Sequence, residues 1–197
     1  MSGLLAILSP LSSLNEFLLR LGRGISAVAI ALMVAAILIQ VFFRYILNNA
    51  LPWPDEAARF CMLWMTGLMA PTAFRRGGFV AIDMLLVALP RILGNLVTLL
   101  LLLLSLTVLL VAVKIGWGEV TGFSGRFKTA ALYIPIAIDF SEWFRIPRSW
   151  MMSSLFVGVI LLTSVNFELI LRSLISLLGG GDKMKPIPDA VSIGGPE

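Results

Sequence analysis

Asp55, Glu56 and Arg59, followed across an apolar run by Arg75, Arg76 and Asp83, are the residues whose types and spacing could do chemistry in this chain. Adjacent carboxylates can hold a cation or share a proton, and arginines can grip an anion or pair with an acid. Arg59 follows Asp55 by four positions and Glu56 by three, the spacing at which side chains meet on one helix face. Both acids also stand where a helix would begin, and negative charge there offsets the positive helix end. Two outcomes fit: ordinary helix-start chemistry, or contact of one of these charges with a partner subunit.

Other chemistry is scarce. None of the 197 residues is histidine, which removes bis-histidine haem, HExxH zinc sites and a His-based triad. Ser153, Ser154 and Asp139 are present, but a Ser–Lys dyad would need an embedded lysine, and Lys114 sits at the edge of an apolar run. The single cysteine, Cys61, lies inside such a run and reads as a small buried hydrophobe. No catalytic residue, metal site or cofactor is expected. The net charge of +4 is not gathered into a stripe, so it suits anionic lipid and not nucleic acid.

The elements that position these residues are apolar. Hydrophobic residues make up 59% of the chain and mean hydropathy is +0.99, outside the soluble globular range. Ile25–Phe43, Ile92–Val113 and Ser149–Phe167 carry no charge, and Phe60–Phe74 reaches spanning length once Ala57, Ala58 and Arg59 are added. A helix needs about 20 such residues to cross hydrocarbon. The reading is an all-α integral membrane protein with four transmembrane helices, near 25–46, 55–75, 91–114 and 148–171, plus interfacial amphipathic helices. Within the four runs the polar groups are few, among them Gln40, Thr66, Asn95, Thr98, Ser105, Thr107 and Asn166. The embedded part therefore reads as electrically silent, fit to brace a transporter and not to move solute itself.

Local signals place the boundaries. Ser13 and Glu16 stand at capping-box spacing, and Leu14, Phe17, Leu18, Leu21 and Ile25 recur at helical intervals, so residues 1–24 read as an interfacial helix. Residues 25–178 are the membrane domain, and 179–197 a tail that opens on three glycines. Ala27, Ala31 and Ala35 form a small-residue stripe along the first span, which permits close approach of another helix. Pro52 and Pro54 bracket Trp53 before the second span; Arg75-Arg76-Gly77-Gly78 closes it, and Pro71 inside it predicts a kink. Residues 79–91 read as a second interfacial helix or an early start to the third span. The long link 114–148 is too apolar to float in water, and Trp117, Trp143 and Trp150 suit a headgroup belt. Eight cations fall on the side of the termini and seven on the other. The compact 75–91 loop tips the orientation toward both termini in the cytoplasm.

From Trp53 to Asp83 the chain resembles the small membrane subunit of tripartite ATP-independent periplasmic (TRAP) transporters, the DctQ-like family. Trp53, the acids Asp55 and Glu56, Arg59 and Trp64 follow the family pattern, as do Arg75-Arg76-Gly77 and Asp83 after the span. The family's histidine position is Phe79 here. Leu132-Tyr133-Ile134-Pro135 through Pro147 also looks like a family region, and the resemblance covers essentially the whole chain. It implies a non-catalytic scaffold subunit in the bacterial inner membrane. Its partners would be a large elevator-type subunit of about twelve spans and a periplasmic substrate-binding protein. The transporter would take up an organic acid with sodium: a C4-dicarboxylate, sialic acid or another sugar acid. Trp53, Asp55, Glu56, Arg59, Trp64, Arg75, Arg76 and Asp83 would then serve subunit contacts or ion pairs. Arg126, Lys128, Tyr133, Pro135, Asp139 and Glu142 in the long loop would face the binding protein. The competing reading is a self-sufficient homo-oligomeric channel or exporter, for which Gln40, Asn95 and Asn166 make only a thin polar stripe.

Overall fold

Helix α1 runs without a break from Ser2 to Tyr45. Its 44 residues rise about 66 Å at 1.5 Å each, twice the hydrocarbon thickness of about 30 Å. The expected division at residue 24 is thus not a break in the helix: any interfacial portion is continuous with the spanning one. Gly22 and Gly24 lie mid-helix, where a glycine costs only about 1 kcal/mol, too little to interrupt so apolar a run. The helix ends where Asn48 takes a left-handed conformation (φ 48°), one that asparagine tolerates. The Asn49 N–H then donates back to the Phe43 carbonyl at 3.0 Å.

The structure is a computed structural model that describes residues 2–77, 90–135, 143–178 and 187. Asp83, Asp139, Glu142, the 79–89 part of the second interfacial segment and the tail apart from Ile187 lie outside the described residues. Helix α2 covers Trp53–Arg75, with Pro54, Asp55 and Glu56 in its first turn as the sequence predicts. Beyond its end, Gly77 supplies the left-handed residue (φ 83°) that ends many helices. Helix α3 covers Arg91–Thr121 and continues seven residues past the expected 114, through Gly116 and Gly118, until Gly122. Helix α4 covers Ser149–Leu177.

The long link holds a small element that the all-α reading did not include. After a short 3-10 turn at Phe123–Arg126, strands β1 (Lys128–Pro135) and β2 (Trp143–Pro147) pair antiparallel, with a register irregularity between Lys128 and Tyr133. The Thr129 hydroxyl donates to the Ile146 carbonyl at 2.7 Å, tying one strand to the other. The Arg148 N–H reaches the Phe127 carbonyl at 2.8 Å. β-Branched and aromatic residues make such a ribbon viable once it packs on helices. The protein is therefore a helical membrane fold with one small hairpin.

Contacts order the helices. Advancing along α2 and α4 together, Gly67 meets Ser154 and Gly158, and Arg75 meets Glu168, so these two run parallel. α1 runs against α2, with Gly22 beside Leu68 and Ser12 beside Arg75. α3 runs against α4: Asn166 Nδ2 donates to the Leu102 carbonyl at 3.1 Å, and Gly116 packs on Phe156. The result is an up-down-up-down arrangement with α2 and α4 at its centre. α1, α3 and α4 are long and apolar enough to cross a membrane, and of their apolar windows 22%, 6% and 44% are buried respectively. In the leucine run of α3, Leu100, Leu103 and Leu104 are exposed and Leu99, Leu101 and Leu102 half-buried. α2 is not in that group, because Asp55, Glu56 and Arg59 occupy its first turns and Arg75 its last.

Several polar residues point inward and many large apolar ones outward, beside a small apolar core at Leu8, Leu171 and Ile175. On α1, Asn15, Ser26 and Gln40 are buried while Leu14, Phe17, Leu21 and Ile25 are exposed. Ala27, Ala31 and Ala35 also face outward. Within this chain the close approach to α2 uses Gly22 instead. Such an outward apolar surface needs lipid or another subunit over it.

Candidate functional site

Glu168, fully buried on α4, is the centre of the most concentrated chemistry in the described residues. Its Oε1 accepts from Arg75 Nη2 at 2.8 Å and from Arg172 Nε at 3.1 Å. Its Oε2 accepts from Arg75 Nε at 3.1 Å and from Asn15 Nδ2 at 2.8 Å. Arg172 Nη2 adds an ionic contact to Oε1 at 3.0 Å. Arg75 Nη2 also donates to the Ser12 carbonyl at 3.2 Å and hydroxyl at 3.0 Å, and Arg172 Nη2 reaches the same hydroxyl at 3.1 Å. Ser164 Oγ donates to Asn15 Oδ1 at 2.7 Å. Residues from α1, α2 and α4 thus close on one carboxylate.

Each helix supplies its part for a local reason. Arg75 ends α2, where a cation suits the negative helix terminus and where the long side chain can turn back between neighbours. Arg172 follows Glu168 by four residues on α4, so the two share a face. Asn15 joins the buried stripe of α1, and asparagine links neighbouring helices in membranes. A carboxylate offers about four lone-pair directions, and here donors fill them. Glu168 is therefore a fastener between helices, with no free lone pair to offer a travelling cation.

This corrects the expectation of an electrically silent interior. The run Ser149–Phe167 is uncharged, but α4 continues for ten residues beyond it, and Glu168 and Arg172 lie in that extension. Sequence reasoning missed both, along with Ser12 and Asn15. One trace was available: Glu168 and Arg172 stand at four-residue spacing with apolar residues on both sides, Phe167, Leu169 to Leu171, and Leu174 to Ile175. An acid so placed needs a base from elsewhere.

The residues expected to carry function divide between the two ends. Arg75 is in the fastener, and Arg76, half-buried, lines a cleft beside it. At the opposite end Trp53, Asp55 and Arg59 are exposed at the start of α2, while Glu56 accepts a short hydrogen bond from the Ala131 N–H of β1. Glu56 thus seats the hairpin on the membrane helices. Trp64 is half-buried beside Phe60. On the hairpin, Arg126 and Lys128 are exposed, and the Arg145 guanidinium sits 5.1 Å over the Tyr133 ring. Pro135 ends β1. The structure does not bring Arg75 and Arg76 together with Asp55, Glu56 and Arg59: they mark the two ends of α2.

A bond to a charged acceptor contributes about 1.5–3 kcal/mol, so Glu56→Ala is expected to loosen the hairpin and leave the bundle intact. Hydrogen exchange at the Ala131 amide should quicken, on the order of tenfold or more at this magnitude. Exchange around Glu168 should not change. Equal quickening at both places would show that the hairpin is not a separate unit.

A family model described as tripartite ATP-independent periplasmic transporters, DctQ component, matches residues 33–175. The chain belongs to the DctQ family. DctQ membership makes it a component of a tripartite transporter and a multi-pass membrane protein, of a family of transporter components and not of enzymes. No curated protein matches the chain. The DctQ match includes Arg75, Glu168 and Arg172, whereas Ser12 and Asn15 precede it. The α1 side of the fastener therefore lies outside the family region.

Proposed function

We propose that this DctQ-family chain is the small scaffold subunit of a TRAP transporter. It supports a large elevator-type membrane subunit during sodium-coupled, binding-protein-dependent uptake of an organic acid. The observation that carries the reading is the saturation of Glu168: the buried carboxylate is consumed in holding α1, α2 and α4 together. A subunit built this way resists deformation, as a stationary neighbour of a moving domain needs to do. The outward apolar faces of α1 and α3 suit lipid and a large apolar partner. Substrate choice would rest with the companions.

In this reading α2 is the fourth span. It lies between α1 and α4, parallel to one and antiparallel to the other, so crossing helices on either side carry it across with them. Its 23 residues rise about 34 Å. Both termini and the Glu168 fastener then face the cytoplasm of a bacterial inner membrane, following the Arg-rich 75–91 loop. The hairpin, with Arg126, Lys128, Tyr133 and Pro135, and the adjoining Asp139 and Glu142, faces the periplasmic binding protein. Exposed Trp117, Phe123, Phe127, Tyr133, Phe144 and Trp150 suit the headgroup belt at that end. Trp53, Asp55 and Arg59 are the nearest candidates there for contact with the large subunit.

Reconstitution tests the reading. Sodium-driven uptake into liposomes is expected only when this chain, the large subunit and the binding protein are all present. Flux through this chain alone would sink the scaffold reading in favour of a self-sufficient channel.

A further inference from the structure

α2 lies between α1 and α4, yet one strip of it is left uncovered. Asp55, Arg59, Met62, Thr66, Met69 and Ala73 are all exposed, and they follow one another at intervals of four, three, four, three and four. That alternation holds side chains on one helix face, and it is the spacing along which a second helix packs. Elsewhere the outward side chains are large and apolar, such as Val28 and Leu32 on α1 and Leu100 and Leu103 on α3. Acyl chains cover those without loss. The strip on α2 differs in kind, with two charges, a hydroxyl and an alanine among its six residues.

Beside the strip, where α2 and α4 touch through Gly67 and Gly158, lies a depression of about 150 Å³. Thr66, Gly67, Ala70, Ser154 and Gly158 are its small lining residues. Both hydroxyls there are already engaged: Thr66 donates to the Met62 carbonyl at 2.9 Å, and Ser154 to the Met151 carbonyl at 2.6 Å. The depression makes no polar demand, so an apolar side chain from outside can fill it as a knob fills a hole.

The charges at the outer end of the strip indicate which chain brings that knob. Glu16 and Arg20, four residues apart on α1, pair at 2.9 Å. Asp55 and Arg59 have the same spacing on α2, yet neither side chain makes an ion pair or hydrogen bond with a described residue. Charged groups on membrane helices are rare and ordinarily paired. A second copy of this chain offers no partner in register. Two copies related by a two-fold axis along the bilayer normal set Arg59 level with Arg59 and Asp55 level with Asp55. A lipid phosphate beside Arg59 would be repelled by Asp55 one turn away. A helix of a different chain, with a carboxylate level with Arg59, meets the charge and fills the depression together.

We propose that this strip of α2, with the Gly67–Gly158 depression, seats one transmembrane helix of the large membrane subunit, and that an acid on that helix pairs with Arg59. The partner's identity rests on the scaffold reading; the face of contact does not.

The two membrane subunits are co-expressed and purified through a tag on this chain. Benzoylphenylalanine in place of Thr66, activated by light in the membrane, is expected to give an adduct with the large subunit, identified by mass spectrometry. Arg59→Glu should cut the large subunit recovered at least about fivefold, and Arg59→Lys, which keeps the charge, should cut it less. Glu119→Lys, an exposed charge reversal at the end of α3, should leave recovery unchanged. Thermal unfolding of the Arg59→Glu chain alone should match the parent, which separates a lost contact from a lost fold. An adduct joining two copies of this chain, or adducts with lipid only, overturns the proposal. Recovery that Arg59→Glu leaves unchanged overturns it as well. If the parent chains do not co-purify, the scaffold reading fails and the strip loses its partner with it. A parent complex that forms but ignores Thr66 and Arg59 sinks only the contact face.

Discussion

Glu168→Ala is expected to destabilise the bundle by about 3–5 kcal/mol, the usual cost of leaving a buried charge without its partner. Removing the carboxylate strands Arg75 and Arg172 side by side, about 3 Å from where it stood, and leaves Asn15 Nδ2 only its 3.3 Å bond to the Ser164 carbonyl. The effect should exceed that of any single substitution at the hairpin end. Thermal unfolding of the purified transporter in detergent measures it directly. Arg75→Lys should fall between parent and Glu168→Ala, since an ammonium cannot supply the paired Nε and Nη2 contacts of the guanidinium. A double change, Glu168→Met with Arg75→Met, should cost less than the sum of the two singles, because the residues share one network. Additive costs would show that the carboxylate and Arg75 act separately, and the fastener would fail as an explanation.

Gly158→Leu is the second large effect. A Cβ at residue 158 would lie 2.7 Å from the Gly67 carbonyl oxygen and 2.9 Å from its Cα. Both are backbone atoms that no rotamer can move. A Cβ at Gly67 would in turn collide with the Ser154 carbonyl group. α2 and α4 therefore touch backbone to backbone, as small residues allow in membrane helices. Forcing them apart should cost at least the 1–3 kcal/mol typical of overpacking, and more as the Glu168 cluster further along the same helix pair is pulled open. Gly118→Ala is the control: nothing lies within 4 Å of its Cβ position. Alanine there should be neutral or stabilise by up to about 1 kcal/mol. Equal destabilisation by both would mean that glycine is needed for backbone freedom and not for helix approach.

These two contacts were not equally legible. Arg75 stood out in the sequence because it ends an apolar run beside another arginine and two glycines. Glu168 did not, although the uncharged run Ser149–Phe167 stops at it. It interrupts an apolar stretch that resumes after it, and only the full length of α4 shows that the helix continues. The Gly67 and Gly158 pair offered less still. Single glycines inside apolar runs are common, and one on each helix carries no mark of which faces which. The alanine stripe of α1 looked more regular, yet it faces outward. Spacing along one helix shows that a close approach is possible but does not fix the rotation that uses it.

The hairpin failed to appear in the sequence for another reason. Lys128–Pro135 is a β-prone segment, but its partner Trp143–Pro147 is short and separated by acids and aromatics without a tight-turn dipeptide. Glu56, seventy-five positions earlier at the start of α2, accepts the Ala131 N–H of the first strand. Glu56 was recognised as a residue that could act. Its partner was not.

The amino-acid order alone determined that this polypeptide is a membrane protein, where the core of each apolar helix lies, and which family pattern it carries. All of these follow from hydrophobic run length, prolines, glycines and end charges, which act within a few turns of chain. The packed structure alone decided which charges meet, that Glu168 is consumed in holding three helices, and which small residues let α2 and α4 touch. Those outcomes depend on the relative rotation of helices joined by long connections. Lipid exposes large apolar side chains as readily as packing buries them, so hydrophobic periodicity, the guide to inward faces in soluble proteins, gave no bearing here.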